Sequence, residues 1–85
     1  MAKWLVSKHR SYNLDTIECI YVSNNYLMLT TDGGQESREV QFVYGTESEL
    51  NKLHEIIMYW IECGKTMGWV LDCDERLKAI RQNAK

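Results

Sequence analysis

The sequence predicts an α+β domain, in which an antiparallel meander of about four strands is covered by one long C-terminal helix, with a short second helix. Three observations lead to this prediction. Runs of β-branched and aromatic residues alternate with turn residues in the first half of the chain. A helix-capping pattern and a stripe of apolar residues follow in the second half. Strands that all precede the helices are typical of an antiparallel sheet with helices on one face.

The length and composition indicate one globular domain spanning residues 1–85. The chain has 85 residues, of which 45% are hydrophobic and 26% charged, which is far from the composition of a disordered protein. The formal net charge of −2 argues against a protein whose main task is to bind phosphate backbones, because such binding depends on an excess of Lys and Arg.

Four segments have the composition of strands, namely Lys3 to Lys8, Ile17 to Ser23, Tyr26 to Thr31 and Arg38 to Tyr44. Asn24 and Asn25 separate the second from the third, and asparagine tolerates the positive φ that a two-residue hairpin turn requires. The segment HRSYN, between the first two strands, is predicted to be a polar connection.

Two helices are predicted from their start signals. Thr46 and Glu49 form a capping box, after which apolar residues recur at steps of three and four in a helix from about Glu47 to Cys63. These are Leu50, Leu53, Ile57, Trp60 and Ile61. Asp72 and Glu75 repeat the capping pattern before a shorter helix whose apolar face holds Leu77, Ile80 and Ala84.

Large apolar residues lie on both faces of the second and third strands, whereas the last strand alternates cleanly between Val40, Phe42, Tyr44 and Glu39, Gln41, Val43. Three structural interpretations remain open: another element covers the far face, Trp69 covers it, or the sheet curls. The functional interpretation is a patch that meets another protein or a second copy of the chain, because such patches are enriched in Tyr, Trp and Met. Its predicted residues are Tyr21, Tyr26 and Met28, with Trp60 or Trp69.

No catalytic, cofactor or metal site is predicted, and the chain is not expected to be an enzyme. His9 and His54 have no Cys or His neighbour at a zinc-ligand spacing, so His54 is expected to be a core or boundary residue of the helix. Cys19 and Cys63 are expected to be small buried hydrophobic residues. Cys73 is surrounded by acidic residues that oppose thiolate formation, and we expect it to be structural.

A nucleic-acid-associated protein is the alternative function. Its binding groups would be two terminal basic clusters beside Trp4 and Tyr12, which could stack on single-stranded bases. The clusters are Lys3, Lys8, His9 and Arg10 at the start, and Lys78, Arg81 and Lys85 at the end. The negative net charge favours a solvated surface for these clusters, so nucleic acid is not the expected partner.

The expected compartment is the cytoplasm. Three cysteines without a CxxC pair, and an N-terminal apolar run too short for a signal peptide, indicate reduced thiols. The longest apolar run, Ile56 to Ile61, is far shorter than the ~18 residues that a membrane-spanning helix needs. No membrane association and no small-molecule substrate are predicted.

The stretch NLDTIECIYV, from Asn13 to Val22, resembles a group of small uncharacterised Gram-positive bacterial and prophage proteins. These have an N-L-D-x-I opening, a strand meander and an acidic-capped helix, to which REVQFVYGTESEL corresponds here; the segment from Thr66 onwards departs from them. The resemblance implies the fold and a bacterial or phage origin, and it implies no active-site residues. By analogy with small acidic phage proteins, an inhibitor of a host defence enzyme is a further alternative.

Overall fold

The computed structural model describes residues 3–8, 10–32, 37–63 and 68–83. Over these residues, six strands form two three-stranded sheets that pack with two helices. In chain order the elements are β1 (Trp4–Ser7), β2 (Arg10–Asn13), a 3-10 turn (Leu14–Thr16), β3 (Ile17–Ser23), β4 (Tyr26–Asp32), β5 (Ser37–Tyr44), α1 (Glu47–Cys63), β6 (Val70–Asp72) and α2 (Cys73–Asn83). The α+β class is confirmed, but two sheets replace the single meander.

The first sheet has the strand order β2-β1-β6. β1 pairs antiparallel with β2 and parallel with β6, so Leu5 lies opposite both Tyr12 and Leu71. The prediction of a polar connection after β1 was wrong, because Arg10–Asn13 of that segment forms a strand. β1 is therefore not the first strand of a meander, and its parallel neighbour is β6, which follows helix α1 in the chain.

The second sheet is the antiparallel meander β3-β4-β5. Asn24 and Asn25 both have positive φ, 52° and 66°, which confirms the predicted two-residue hairpin turn. Positive φ at both central positions matches the right-handed twist of the strands that the turn joins.

Helix α1 has the predicted bounds and covers one face of the second sheet. The amide of Glu49 donates to Thr46 Oγ1 at 3.2 Å, and the amide of Thr46 donates to Glu49 Oε1 at 2.9 Å, so the predicted capping box is formed. The stripe of α1 that faces the sheet is completely buried at four positions: Leu50, Leu53, Ile57 and Trp60. These side chains meet Leu27 and Leu29 of β4, which are also completely buried.

Two β-bulges change which residues of the second sheet face α1. One lies between Ile17 and Cys19 in the pairing of β3 with β4, and the other falls where Val43 and Gln41 pair with successive residues of β4. A bulge places an extra residue in one strand and thereby shifts its alternation. Phe42 and Val43 are consequently both buried, and Ile17 packs against the core. The clean alternation predicted for this strand is wrong because of the second bulge.

Trp60 joins the two halves of the fold. Its indole Nε1 donates to the carbonyl oxygen of Gly68 at 2.8 Å, just before β6. The ammonium of Lys3, just before β1, donates to the carbonyl oxygens of Trp60 at 3.1 Å and Ile61 at 3.2 Å, and lies 5.6 Å from the centroid of the Trp60 ring. The last turn of α1 is thereby attached to both segments that lead into the parallel strand pair.

Side chains from β2 close the junction between the sheets. Tyr12 meets Phe42 edge to face, with ring centroids 5.6 Å apart. The Arg10 guanidinium lies over the Phe42 ring, with its Cζ 5.5 Å from the ring centroid. Its Nη2 donates to the Phe42 carbonyl oxygen at 2.7 Å. β2 and β5 are therefore held together by side chains and not by a backbone ladder.

Helix α2 packs against α1 and β1. Asp72 Oδ1 accepts from the amides of Asp74 at 3.0 Å and Glu75 at 3.3 Å, so the predicted N-terminal cap is present. Leu77 and Ile80 are buried as predicted, whereas Ala84 lies outside the described residues.

The first turn of α2 also carries the contact that attaches the helix to β1. The Asp74 carboxylate accepts from the Ser7 hydroxyl at 3.0 Å and from the Lys8 amide at 2.6 Å. Ser7 is only 1% exposed, and Lys8 has a positive φ of 51°, so this carboxylate both pairs a buried hydroxyl and holds the end of β1 in a left-handed conformation.

We expect Asp74→Ala to lower the free energy of unfolding by about 2–3 kcal/mol, because the substitution leaves the buried Ser7 hydroxyl and the Lys8 amide without their acceptor. Urea denaturation followed by tryptophan fluorescence measures the change. The control is Lys78→Ala on the exposed side of α2, where we expect a change within about 0.5 kcal/mol. Equal losses for the two variants would contradict the role assigned to Asp74.

Candidate interaction surface

The face of the second sheet that points away from α1 is rich in tyrosine. The strand register places on it Cys19, Tyr21, Tyr26, Met28, Thr30, Glu39, Gln41 and Tyr44, and we call this set the tyrosine face. It is opposite to the face that buries Leu27 and Leu29 against α1, while α2 packs against α1 and β1. Neither helix packs against the tyrosine face.

Cross-strand contacts hold the aromatic side chains of this face in place. The rings of Tyr26 and Tyr44 meet edge to face, with centroids 5.3 Å apart and an interplanar angle of 63°. The Tyr21 hydroxyl donates to Glu39 Oε1 at 2.9 Å across the sheet. Tyr44 is 64% exposed, and Tyr21, Tyr26 and Met28 are partly exposed. The face therefore presents oriented rings and not freely rotating side chains.

The chemistry of the tyrosine face suits recognition of another protein. Tyrosine offers a large contact area with few rotatable bonds and a polar tip, and methionine adapts its shape to a neighbouring surface. Among the side chains described on this face, the charged group is the Glu39 carboxylate, and none is a Lys or Arg. A cationic group would find both a carboxylate and the negative faces of aromatic rings here.

The structure brings together three of the five residues predicted for a partner surface, Tyr21, Tyr26 and Met28. Trp60 does not belong with them, because its side chain is completely buried in the core. Trp69 is 49% exposed but lies beside β1, in the other sheet. Sequence reasoning missed Tyr44, because without the bulge in β5 this residue would share the inward parity of Val40 and Phe42.

Trp69 belongs to a second exposed apolar area. The Trp4 amide donates to the Trp69 carbonyl oxygen at 2.8 Å, and Trp4 lies opposite Val70 in the parallel pair. Trp4 is 40% exposed and Val70 58%. Val70 of this cluster begins the short edge strand β6, which ends at Asp72, and a short edge that ends in a charge is a poor template for strand pairing.

The cysteines and histidines have structural positions. Cys73 is completely buried, and burial, together with the neighbouring Asp74 and Asp72 carboxylates, raises the pKa of its thiol, so the thiol is protonated at neutral pH and a poor nucleophile. Cys19 is exposed on the tyrosine face, so the prediction that it is buried was wrong. The Cys63 side chain lies outside the described residues.

His54 is a boundary residue of α1, as predicted: it is partly buried, and its Nε2 lies 3.0 Å from the Ile20 carbonyl oxygen. Since a carbonyl oxygen only accepts, Nε2 carries the proton in this contact. His9 lies outside the described residues. Among the described part of the chain, no group of three His, Cys, Asp or Glu side chains is placed to hold a metal ion.

Several basic side chains proposed for nucleic-acid contacts are engaged within the chain. Lys3 caps α1 and Arg10 bonds to β5. Arg81 forms an ion pair with Glu49, at 3.0 Å between Nε and Oε2. Lys85 lies outside the described residues, as His9 does. These contacts do not favour a continuous phosphate-binding patch.

No protein-family model, no curated protein and no solved structure matches this chain. Neither helix of the described residues has the length and apolar character required to cross a bilayer.

We expect Glu39→Gln to lower the pKa of Tyr21 towards its ordinary value of 10.0, because the hydrogen bond to the Glu39 carboxylate is the main cause that raises it. The contact stabilises the fold while Tyr21 is protonated, so its contribution is present below pH 10.0 and is lost as the pH rises through the raised pKa of Tyr21. Titration of the tyrosine ring carbons by NMR measures the pKa.

The matched control for this titration is Glu55→Gln, an exposed residue of α1, which should leave the pKa of Tyr21 unchanged. An unchanged Tyr21 pKa in Glu39→Gln would show that the cross-strand hydrogen bond is absent in solution.

Proposed function

We propose that this protein is a small non-enzymatic interaction module, which binds a different protein through its tyrosine face. The observation that carries the proposal is a sheet face with three ordered tyrosines and a methionine, against which neither helix packs. Aromatic and methionine side chains are enriched at protein–protein contacts, and tyrosine is among the residues that contribute most to the binding energy.

The charge of the tyrosine face supports a partner with a basic side chain. Glu39 is the charged residue among the side chains described on this face, and its carboxylate accepts a hydrogen bond from the Tyr21 hydroxyl. An Arg or Lys of a partner would pair with Glu39 and stack on the neighbouring tyrosines. A second copy of the chain offers the same acidic face and no cation, so an isologous dimer through this face lacks the complementary group.

The size of the face also argues against a stable dimer. β3 and β4 have seven residues each and β5 has eight. At about 3.3 Å per residue and about 4.8 Å between strands, the face measures roughly 25 by 14 Å, or about 350 Å². A stable complex buries about 800 Å² on each partner. The tyrosine face therefore suits a small epitope or a transient contact.

The proposal is tested by comparing two tyrosines of similar exposure. Tyr44, on the tyrosine face, is 64% exposed, and Tyr59, on α1, is 56% exposed. A protein recovered on the immobilised chain is purified, and its dissociation constant is measured by calorimetry. We expect Tyr44→Ser to weaken binding at least about tenfold, equivalent to ~1.4 kcal/mol, and Tyr59→Ser to weaken it less than about twofold.

Two results would contradict the proposal. One is a purified partner that binds the Tyr44→Ser and Tyr59→Ser variants equally well. The other is a stable dimer of the chain in sedimentation equilibrium that Tyr44→Ser dissociates, because this would make a second copy the occupant of the tyrosine face.

A further inference from the structure

A groove runs between the free edge of β3 and helix α1. β3 is an outer strand of its sheet, and α1 packs beside it. The first part of the groove has a volume of about 470 Å³ and a mainly aliphatic lining. Its lining includes Leu14, Ile17, Ile20, His54, Met58 and Ile61.

The groove continues in a second, polar part next to the hairpin turn. This part has a volume of about 430 Å³ and lies between Val22, Asn24 and Asn25 on the sheet and Glu47 and Asn51 on α1. The aliphatic part is lined by Ile17 of β3 and Ile61 of α1, and the polar part by Val22 of β3 and Glu47 of α1. The two parts therefore follow each other along the edge of β3.

The backbone of β3 presents unpaired positions to this groove. Because Ser23 and Tyr26 flank a two-residue turn, they form a hydrogen-bonded pair across the hairpin. Pairs alternate along an antiparallel ladder, so the N–H and C=O groups of Val22 and Ile20 point away from β4, towards the free edge. The contact of His54 Nε2 with the Ile20 carbonyl oxygen agrees with this direction.

We propose that this groove binds an extended segment of another protein as an additional strand on β3. The segment's backbone pairs with Val22 and the Ile20 amide, while alternate side chains enter the groove. An aliphatic side chain occupies the part lined by Ile17 and Met58, and a basic side chain reaches Glu47. The bulge after Ile17 ends the regular edge, which limits the added strand to a few residues.

Charge and backbone chemistry identify the occupant. Glu47 is an exposed carboxylate in the polar part, Glu18 is one in the aliphatic part, and neither part of the groove is lined by a Lys or Arg among the described residues. A basic residue is therefore complementary to the polar part, while the apolar side chains around Glu18 make the other part suited to an aliphatic residue. An extended backbone has free N–H and C=O groups that can pair with the edge of β3. A compact apolar ligand has no such groups. This site lies along the edge of β3, shares only Cys19 with the tyrosine face as defined above, and extends the proposed function to a second contact.

The probes are two fluorescent heptapeptides, Ser-Leu-Thr-Val-Thr-Arg-Ser and the reversed order Ser-Arg-Thr-Val-Thr-Leu-Ser, since the added strand runs either way. Fluorescence anisotropy measures binding to the whole protein. We expect saturable binding of one probe, with the amide signals of Ile20 and Val22 shifting in NMR spectra. In the added strand, alternate residues direct their N–H groups towards β3. N-methylation of these residues should weaken binding at least about tenfold, and N-methylation of the residues between them should leave binding unchanged.

A charge-reversal pair tests the polar end of the groove. Glu47→Lys should weaken binding of the preferred probe about fivefold or more, whereas Glu55→Lys, on an exposed part of α1 outside the groove, should change it less than about twofold. Tyr44→Ser should leave probe binding unchanged, which separates this result from the test of the tyrosine face.

Three results would overturn the inference. They are the absence of saturable binding for both probes, equal sensitivity to N-methylation at both alternate sets, and equal effects of Glu47→Lys and Glu55→Lys. Binding that depends on the leucine but not on the peptide backbone would assign the groove to a compact apolar ligand instead.

Discussion

The one-sided covering of the β3-β4-β5 sheet is the constraint on which the rest of this structure depends. A single helix packs against one face, so only one parity of side chains is buried along each regular strand. The sequence has large apolar residues at both parities, and the two bulges solve part of this conflict by turning Ile17 and Val43 towards the core. Tyr21, Tyr26 and Tyr44 stay on the outer side and form the surface we assign to a partner.

Trp60 is the second determinant of this structure, because it connects the two sheets. The strands of β3-β4-β5 follow one another along the chain, whereas β6 of the first sheet comes after α1. Its ring lies in a core that includes Leu5 and Leu71 of the first sheet as well as Leu27 of the second. The hydrogen bond to Gly68 satisfies its indole N–H, which is the polar group that a buried tryptophan must pair. Trp60, which the sequence predicts for a partner surface, is thus a core residue that contacts both sheets.

The elements that sequence reasoning predicted correctly are those whose signals are local. The capping box of Thr46 and Glu49, the Asn24-Asn25 turn and the aliphatic stripe of α1 all act within a few residues of each other. β2 and β6 were missed because RSYN and VLD carry little strand signal, and each becomes a strand only through pairing with β1. The bulge that exposes Tyr44 likewise depends on how β4 and β5 pair with each other.

The parallel pairing of Trp4–Ser7 with Val70–Asp72 has a consequence for how the chain reaches its native state. Parallel neighbours so distant in sequence require closure of a very large loop, and such closure slows folding. The hairpin and its helix form from nearby contacts, whereas the parallel partner of the first strand, Val70–Asp72, is synthesised only after both of them. During translation, the apolar Trp4, Leu5 and Val6 thus lack their parallel neighbours until Val70–Asp72 have been made, and in that interval chaperones or unwanted association have access to them.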